Sequence, residues 1–185
     1  MWKPLGLAIL LIFAVRSDAR APLDREPVIA GVRVFYGPGS GFDTIDEELI
    51  GRASRRIDMT AYVLSDPRVI DALSRAVGRG VRLRLYLDPG ENSSRANARD
   101  SKLGALLRTQ GVEARVKSSA GDLMHLKSYQ VDGRWLRSGS ANFSFSGEAR
   151  QDNDIVIIDN AEFAGAYVRH FDEIWTRRDN SKFAP

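Results

Sequence analysis

The stretch HLKSYQVDGRWLRSGSAN, residues 125–142, decides how the fold is interpreted, and it has the spacing H-x-K-x4-D-x6-G-S-x-N. Apolar and polar residues alternate around Lys127, and Asp132-Gly133 is a pair that favours a two-residue hairpin turn. The pattern predicts two antiparallel strands joined at that turn. Because successive side chains of an extended strand point to opposite faces, His125 and Lys127 share one face.

Two further polar residues follow the second predicted strand. Ser140 and Asn142 share a face if their stretch is also extended. A histidine that can act as nucleophile or acid/base, a fixed cation and two neutral donors can then converge on one spot. Cleavage of a phosphodiester requires those groups.

The spacing resembles the HKD motif of the phospholipase D superfamily, and the likeness extends beyond the motif. Residues 31–38, 56–63 and 79–88 are similar to the three strands that precede the motif in that family, and residues 154–158 with a helix reaching Trp175 are similar to its ending. The chain resembles the small, single-motif bacterial endonuclease branch. The resemblance implies an α/β fold: a mixed β-sheet flanked by helices on both faces, an α/β/α sandwich with one motif copy per chain.

The resemblance also implies roles for individual residues. His125, Lys127 and Asp132 are expected to be catalytic, and Lys127, Ser140 and Asn142 to bind the oxygens of the substrate phosphate. Asp132 has a competing interpretation, since an Asp-Gly turn explains it without any catalytic duty.

Family members carry an acidic residue before the last strand that orients the histidine. A gapless count falls between Asp152 and Asp154, and Asp154 is favoured because the apolar strand follows it directly. The family mechanism has two steps, through a phosphohistidine and with a second histidine as the acid. His170 lacks the motif and is expected on the solvent side of its helix. The second histidine must then come from another subunit, so we expect a homodimer with its active site at the two-fold interface.

Amino-acid composition limits the metal sites that the chain can form and the substrates that it can bind. The 185-residue chain is 43% hydrophobic and carries a net charge of +3, which is compatible with a phosphate-rich substrate. It contains no cysteine and only two histidines, so thiolate and histidine-rich zinc sites are not expected. We expect metal-free chemistry with no cofactor. A magnesium site built from Asp88, Asp152 and Asp154 is the alternative.

The N-terminus indicates export. A charged start is followed by an apolar stretch at residues 5–15, shorter than the roughly 20 residues a membrane span needs. Residues 1–20 are therefore predicted to be a signal peptide, with an uncleaved anchor as the alternative. A linker (21–27), a phosphodiesterase domain (28–178) and a C-terminal tail (179–185) follow. The mature protein is expected to be periplasmic or secreted, without an integral membrane span.

The remaining elements follow from local signals. Thr44-x-x-Glu47 predicts a capping box for a helix ending near Arg55, and Asp66-Pro67 begins a second helix ending near Gly80. Residues 89–99 are predicted to be a polar loop. Strands are predicted at 28–36, 57–63, 81–87, 112–116 and 155–158, and the last helix carries an apolar stripe that ends at Trp175.

Three functions are compatible with these residues. The first is a metal-independent nuclease acting on DNA or RNA. The second is a phospholipase D that hydrolyses phospholipid head groups, with Phe143 and Phe145 as contacts to a membrane surface. The third is a catalytically silent module that binds phosphate ligands, which the intact His-Lys-Asp set argues against.

Overall fold

The structure is a computed structural model that describes Leu23, Val28 and residues 30–118 and 122–183. The predicted signal segment lies outside these residues, as does most of the linker. Within the described ranges the elements are β1 (Val32–Tyr36), α1 (Phe42–Gly51), β2 (Arg56–Ala61), α2 (Pro67–Gly78), β3 (Arg82–Leu87), α3 (Pro89–Asn97), α4 (Lys102–Leu107), β4 (Val112–Val116), β5 (Lys127–Val131), β6 (Trp135–Gly139), α5 (Phe145–Ala149), β7 (Asp154–Asp159), α6 (Ala161–Trp175) and β8 (Ser181–Lys182).

The strands form one mixed sheet in the order β1-β7-β6-β5-β2-β3-β4-β8. Strands β2, β3 and β4 run parallel to one another, and all other neighbours pair antiparallel. The predicted alternation is confirmed: Leu83, Leu85 and Leu87 enter the main core, which also contains the buried side of α1 and α2. Helix α6 packs on the other face against β2, β5 and β6. Helices therefore cover both faces, as predicted.

Strand pairing brings the ends of several strands together along one side of the sheet. We call this row of strand ends the motif edge. Lys127, the first residue of β5, pairs with Ala61, the last residue of β2. Gly139, the last residue of β6, pairs with Ile155 next to the start of β7. The segments that carry His125, Ser140 and Asn142 all continue from these strand ends. The hairpin turn at Asp132-Gly133 lies at the opposite edge, and both of its residues have positive φ, as a type I′ turn requires.

Two local predictions are wrong. Helix α1 begins at Phe42 and ends at Gly51, and Gly41 before it has a left-handed conformation and no side chain that could cap the helix. Glu47 pairs with Arg75 of α2 at 2.6 Å instead of closing a capping box. Residues 89–97 form helix α3 rather than a loop, because the Asp88 side chain caps the helix and Pro89 fits its first turn.

No helix in the described part of the chain is long and apolar enough to cross a bilayer.

Candidate active site

His125 lies in the extended segment just before β5, with its side chain exposed. Its ring packs against the ring of Tyr62, with centroids 4.6 Å apart and planes tilted by 59°. Tyr62 directly follows β2, and its backbone N–H donates to the carbonyl of Leu126, so the strand pairing continues to the histidine. In the described residues no side chain forms a hydrogen bond with the His125 ring. Within the described residues, both ring nitrogens are therefore free of hydrogen-bond partners.

Lys127 lies beside this histidine but is nearly buried, with 5% of its surface exposed. Its Nζ donates to the carbonyl of His125 at 2.6 Å and lies 4.9 Å from the centre of the Tyr62 ring. Burial lowers the pKa of Lys127 below the ordinary lysine value. Within the described residues no carboxylate pairs with Lys127, and such a partly desolvated cation interacts strongly with an anion that enters the site.

Two residues that were not predicted to position the histidine hold this segment in place. Asp88 caps α3 with one carboxylate oxygen, and its other oxygen accepts from the N–H of Met124 at 3.0 Å, next to the histidine. Asn92 is fully buried, and its side chain contacts the backbone of Tyr62 and Leu64 at 2.7 and 3.0 Å. Helix α3, which was not predicted, therefore fixes the backbone on either side of the histidine ring, at Met124 and at Tyr62.

Ser140 and Asn142 lie in the loop that leaves β6. The Ser140 hydroxyl donates to Asp154 Oδ1 at 2.6 Å and is also 3.1 Å from Asn153 Oδ1. The backbone of Asn142 packs directly against Gly147, and a Cβ at position 147 would collide with the carbonyl oxygen of Asn142. The Asn142 side-chain oxygen is buried without a hydrogen-bond partner. That oxygen is an acceptor and does not bind a phosphate oxygen, so the donor that Asn142 can offer a ligand is its side-chain amide nitrogen.

Neither candidate for the histidine-orienting acid reaches the histidine. Asp154 is bound to Ser140 through both its carboxylate and its backbone N–H. Asp152 is exposed, and no hydrogen bond joins it to His125 in the described ranges. The structure thus brings Asp154 to the motif edge as a partner of Ser140.

Asp132 lies at the opposite edge, one strand length from Lys127. One carboxylate oxygen accepts from the N–H and hydroxyl of Ser54, at 2.8 and 2.7 Å, and the other accepts from the N–H groups of Arg55 and Arg56. Partial burial would raise the pKa of Asp132, but these bonds, above all those from Arg56 and Ser54, outweigh it and lower the pKa. The structure does not bring Asp132 to the motif edge.

A shallow cavity opens beside the histidine. His125 and His170 both line it, together with Lys117 and Arg177. His170 is half exposed on α6, as predicted, and lies 3.7 Å from Glu173. The rim also presents Leu123, which is 61% exposed. The cavity is thus lined by cationic side chains and by an exposed apolar side chain.

Two features bear on the other expectations. The described residues contain no group of three His, Asp or Glu side chains placed to hold a metal ion, and the oxygens of Asp88 are engaged by backbone N–H groups. Phe143 is fully buried in the core, so it cannot contact a membrane, whereas Phe145 is 64% exposed.

Comparison with known proteins places this site in a family. Residues 47–175 match the family described as "Cardiolipin synthase, PLD-like domain". The chain is 30% identical over 162 residues to a mitochondrial cardiolipin hydrolase of Xenopus laevis, covering 85% of this chain and 74% of the relative. It is 29% identical over 140 residues to a phospholipase D of Rickettsia bellii, covering 76% and 67% of the two chains.

Solved structures agree. Nuc from Salmonella typhimurium, a phospholipase D family member, superposes with a TM-score of 0.69 at 25% identity, covering 83% of this chain and 98% of Nuc. NucT from Helicobacter pylori gives a TM-score of 0.71 at 17% identity, covering 82% and 98%, which supports the fold alone. Fold and site together define a phosphodiesterase. The chain belongs to the phospholipase D superfamily.

Proposed function

We propose that this phosphodiesterase works without a metal, through a phosphohistidine on His125. The observation that carries the proposal is an exposed histidine with both ring nitrogens open, held against Tyr62 beside the nearly buried Lys127. His125 attacks phosphorus, so a nitrogen–phosphorus bond forms as the bond to the leaving oxygen breaks. The cation of Lys127 and the side-chain amide of Asn142 stabilise the charge on the non-bridging oxygens, and the Ser140 hydroxyl joins them by turning from Asp154 to the phosphate.

The leaving oxygen needs a proton, and we propose that a second copy of the chain supplies it. His125 of the partner subunit acts as the acid, and it then accepts a proton from the water that hydrolyses the phosphohistidine. A two-fold dimer places the same surface on both chains. An apolar surface that suits such a contact adjoins the motif edge: Val34 and Tyr36 of edge strand β1 are 36% and 71% exposed, and Val34 pairs with the half-buried Val156.

Dilution tests the dimer. We expect activity per mole of chain to fall below the dimer dissociation constant. Mixing His125→Ala with Lys127→Ala protein adds a second test. A mixed dimer keeps one histidine and one lysine, so it can form the covalent intermediate while full turnover stays poor. A protein that sediments as a monomer at every concentration and still turns over at full rate contradicts the shared site.

We propose nucleic acid as the substrate. Lys117 and Arg177 line the cavity that holds His125, where they can bind phosphates that flank the scissile one. Phospholipid is the second candidate, and the exposed apolar side chains of Leu123, Leu126 and Phe145 favour it. A lipid-cleaving enzyme would insert those side chains into the membrane surface.

A side-by-side assay separates the two substrates. The protein is tested in excess EDTA against single- and double-stranded DNA, RNA and phosphatidylcholine vesicles. We expect cleavage of nucleic acid, and a Lys117→Ala/Arg177→Ala variant should raise KM with a weaker dependence on salt. Arg108→Ala, an exposed arginine after α4, is the matched control. Cleavage of vesicles alone would assign the lipid function. Activity lost in EDTA and restored by magnesium would contradict metal-free chemistry.

We further propose that the protein is exported to the periplasm or secreted, because residues 1–20 have the pattern of a signal peptide. Fractionation of expressing bacteria with N-terminal sequencing tests this. We expect the mature chain outside the cytoplasm, beginning after Ala19 or Ala21. A full-length chain confined to the membrane fraction would support the anchor instead.

A further inference from the structure

Behind the motif edge lies a cluster of buried charges to which the sequence analysis gave no role. Arg137 of β6 is completely buried, as is Asp46 of α1, and Glu148 of α5 is nearly so. The Arg137 guanidinium binds both oxygens of Asp46, at 3.2 and 3.1 Å, and lies 3.6 Å from Glu148. The hydroxyl of Tyr129 donates to Asp46 at 2.7 Å. Helices α1 and α5 therefore meet strand β6 at Arg137, and strand β5 joins them through Tyr129.

The remaining nitrogen of Arg137 reaches the site itself. Its Nη1 donates to the carbonyl of Lys127 at 2.9 Å and to the carbonyl of Ala141 at 3.1 Å. Lys127 carries the proposed phosphate-binding cation, and Ala141 lies between Ser140 and Asn142. The guanidinium also lies 4.4 Å from the centre of the Phe143 ring, at the end of the same loop. One planar side chain thus joins the two halves of the motif.

Arg137, held by Asp46, is in our inference a positioning residue that fixes the Lys127 backbone and the Ser140–Asn142 loop at one separation. This inference rests on the proposed function, because it assigns those two segments to one phosphate. A guanidinium suits the task, since its five donors lie in one rigid plane and can bind two carbonyls and a carboxylate together.

The charges of the cluster are balanced. Burial raises the pKa of both carboxyl groups, that of Glu148 to about 10 with the negative charge of Asp46 adding to the effect, so the two do not both ionise beside the one cation of Arg137. One buried cation and one buried anion remain. A lone buried charge is strongly unfavourable, so we expect removal of either partner alone to destabilise the fold strongly. Any test must therefore keep the charges matched.

The principal variant is Arg137→Lys, which keeps the charge opposite Asp46. An ammonium group cannot span both carbonyls and the carboxylate in one plane. We expect kcat to fall by about tenfold to a hundredfold, as a displacement near 1 Å at a catalytic group can cause, with KM changed by less than about threefold. The matched control is Arg134→Lys on the same hairpin, where the arginine is exposed and pairs with Asp159. Its kinetics should equal those of the wild type.

A second variant guards against misfolding. Asp46→Leu/Arg137→Met removes both charges together, a change that packed cores often tolerate. We expect it to fold, as judged by circular dichroism, and to show the same loss of kcat. Glu148→Gln replaces one neutral group by another and should leave kcat unchanged.

Lys127 supplies a readout that does not depend on turnover. Carbon-13 NMR of labelled lysine, with the signal assigned through Lys127→Arg, follows its titration. We expect the pKa of Lys127 in Arg137→Lys to move up toward 10.5, because a displaced backbone exposes the ammonium to water. Folded variants with wild-type kcat and an unchanged Lys127 titration would overturn the inference. A wild type inactive on every phosphodiester would refute the proposed function instead, and the titration would still decide whether Arg137 positions Lys127.

Discussion

The β5–β6 hairpin carries motif residues at both of its ends. Asp132 lies at the turn and His125 at the open end, and the two side chains differ in the number of hydrogen bonds that they form. At the turn, both oxygens of Asp132 are saturated by four donors from residues 54–56. At the motif edge, the exposed His125 ring has no hydrogen-bond partner in the described chain. A saturated carboxylate holds a fold together, whereas open polar groups are available to a substrate.

The comparison separates two kinds of motif residue. A fixed spacing in sequence does not mean a shared position in space, because a five-residue strand carries Asp132 away from Lys127. We therefore propose a structural role for Asp132 and chemical roles for His125 and Lys127. The following predictions test that division, beginning with the largest expected effect.

Replacement of His125 by alanine should have the largest effect. We expect kcat to fall by at least about a thousandfold, because the nucleophile is lost. The melting temperature should stay within about 2 °C, since an exposed side chain contributes little to the core. Steady-state kinetics on the substrate found in the side-by-side assay measure kcat, and a thermal melt measures the melting temperature.

His170→Ala is the control for that result. His170 lines the same cavity and is half exposed on α6, and we expect its removal to change kcat by less than about threefold. An inactive His170→Ala protein would mean that the second histidine lies in the same chain, and the dimer proposal would fail.

Lys127 should show the next effect, and its signature is pH dependence. The lysine is charged below its folded pKa, which burial sets under 10.5. The rate should therefore fall as pH rises through that lowered value. Lys127→Ala should lose about a hundredfold to a thousandfold in kcat and lose this alkaline limb. An alkaline limb that persists unchanged in Lys127→Ala would assign the titration to another group.

Asp132→Asn should have the smallest effect, and on stability alone. Asparagine keeps the left-handed turn conformation but has one acceptor oxygen where Asp132 has two, so we expect a loss of about 1–3 kcal/mol in unfolding free energy. For Asp132 the folded pKa is below the unfolded value, so its contribution is present above pH 3.8 and is lost as pH falls below that value. Denaturant unfolding at several pH values measures the unfolding free energy and its dependence on pH. The kcat of the variant should be unchanged. A folded variant with a hundredfold lower kcat would restore a catalytic role.

Most of the sheet could be predicted because its signals are local. The alternation in β3, the Asp-Gly turn and the apolar strand β7 each lie within a few residues, and the structure confirms all three. The placement of His125 and Lys127 together followed from strand geometry alone.

Elements that depend on distant partners could not be predicted. Helix α3 begins with the same Asp-Pro signal as α2 but lacks an apolar stripe, and the contact of its buried Asn92 with Leu64, 28 residues away, has no local signal. Arg137 and Asp46 are 91 residues apart and meet only in the folded sheet. Tyr62 had no motif to mark it. Its position one residue after a buried strand at the motif edge was the one available signal.

The covalent intermediate tests the central claim most directly. The protein is mixed rapidly with its phosphodiester substrate, quenched in alkaline denaturant to preserve phosphohistidine, digested with trypsin and analysed by mass spectrometry. Cleavage after Lys117 and Lys127 places His125 in its own peptide, and cleavage after Arg169 and Arg177 separates His170. We predict an adduct on the peptide of residues 118–127 and none on residues 170–177. An adduct on His170, or full turnover with no adduct on either peptide, would contradict the account.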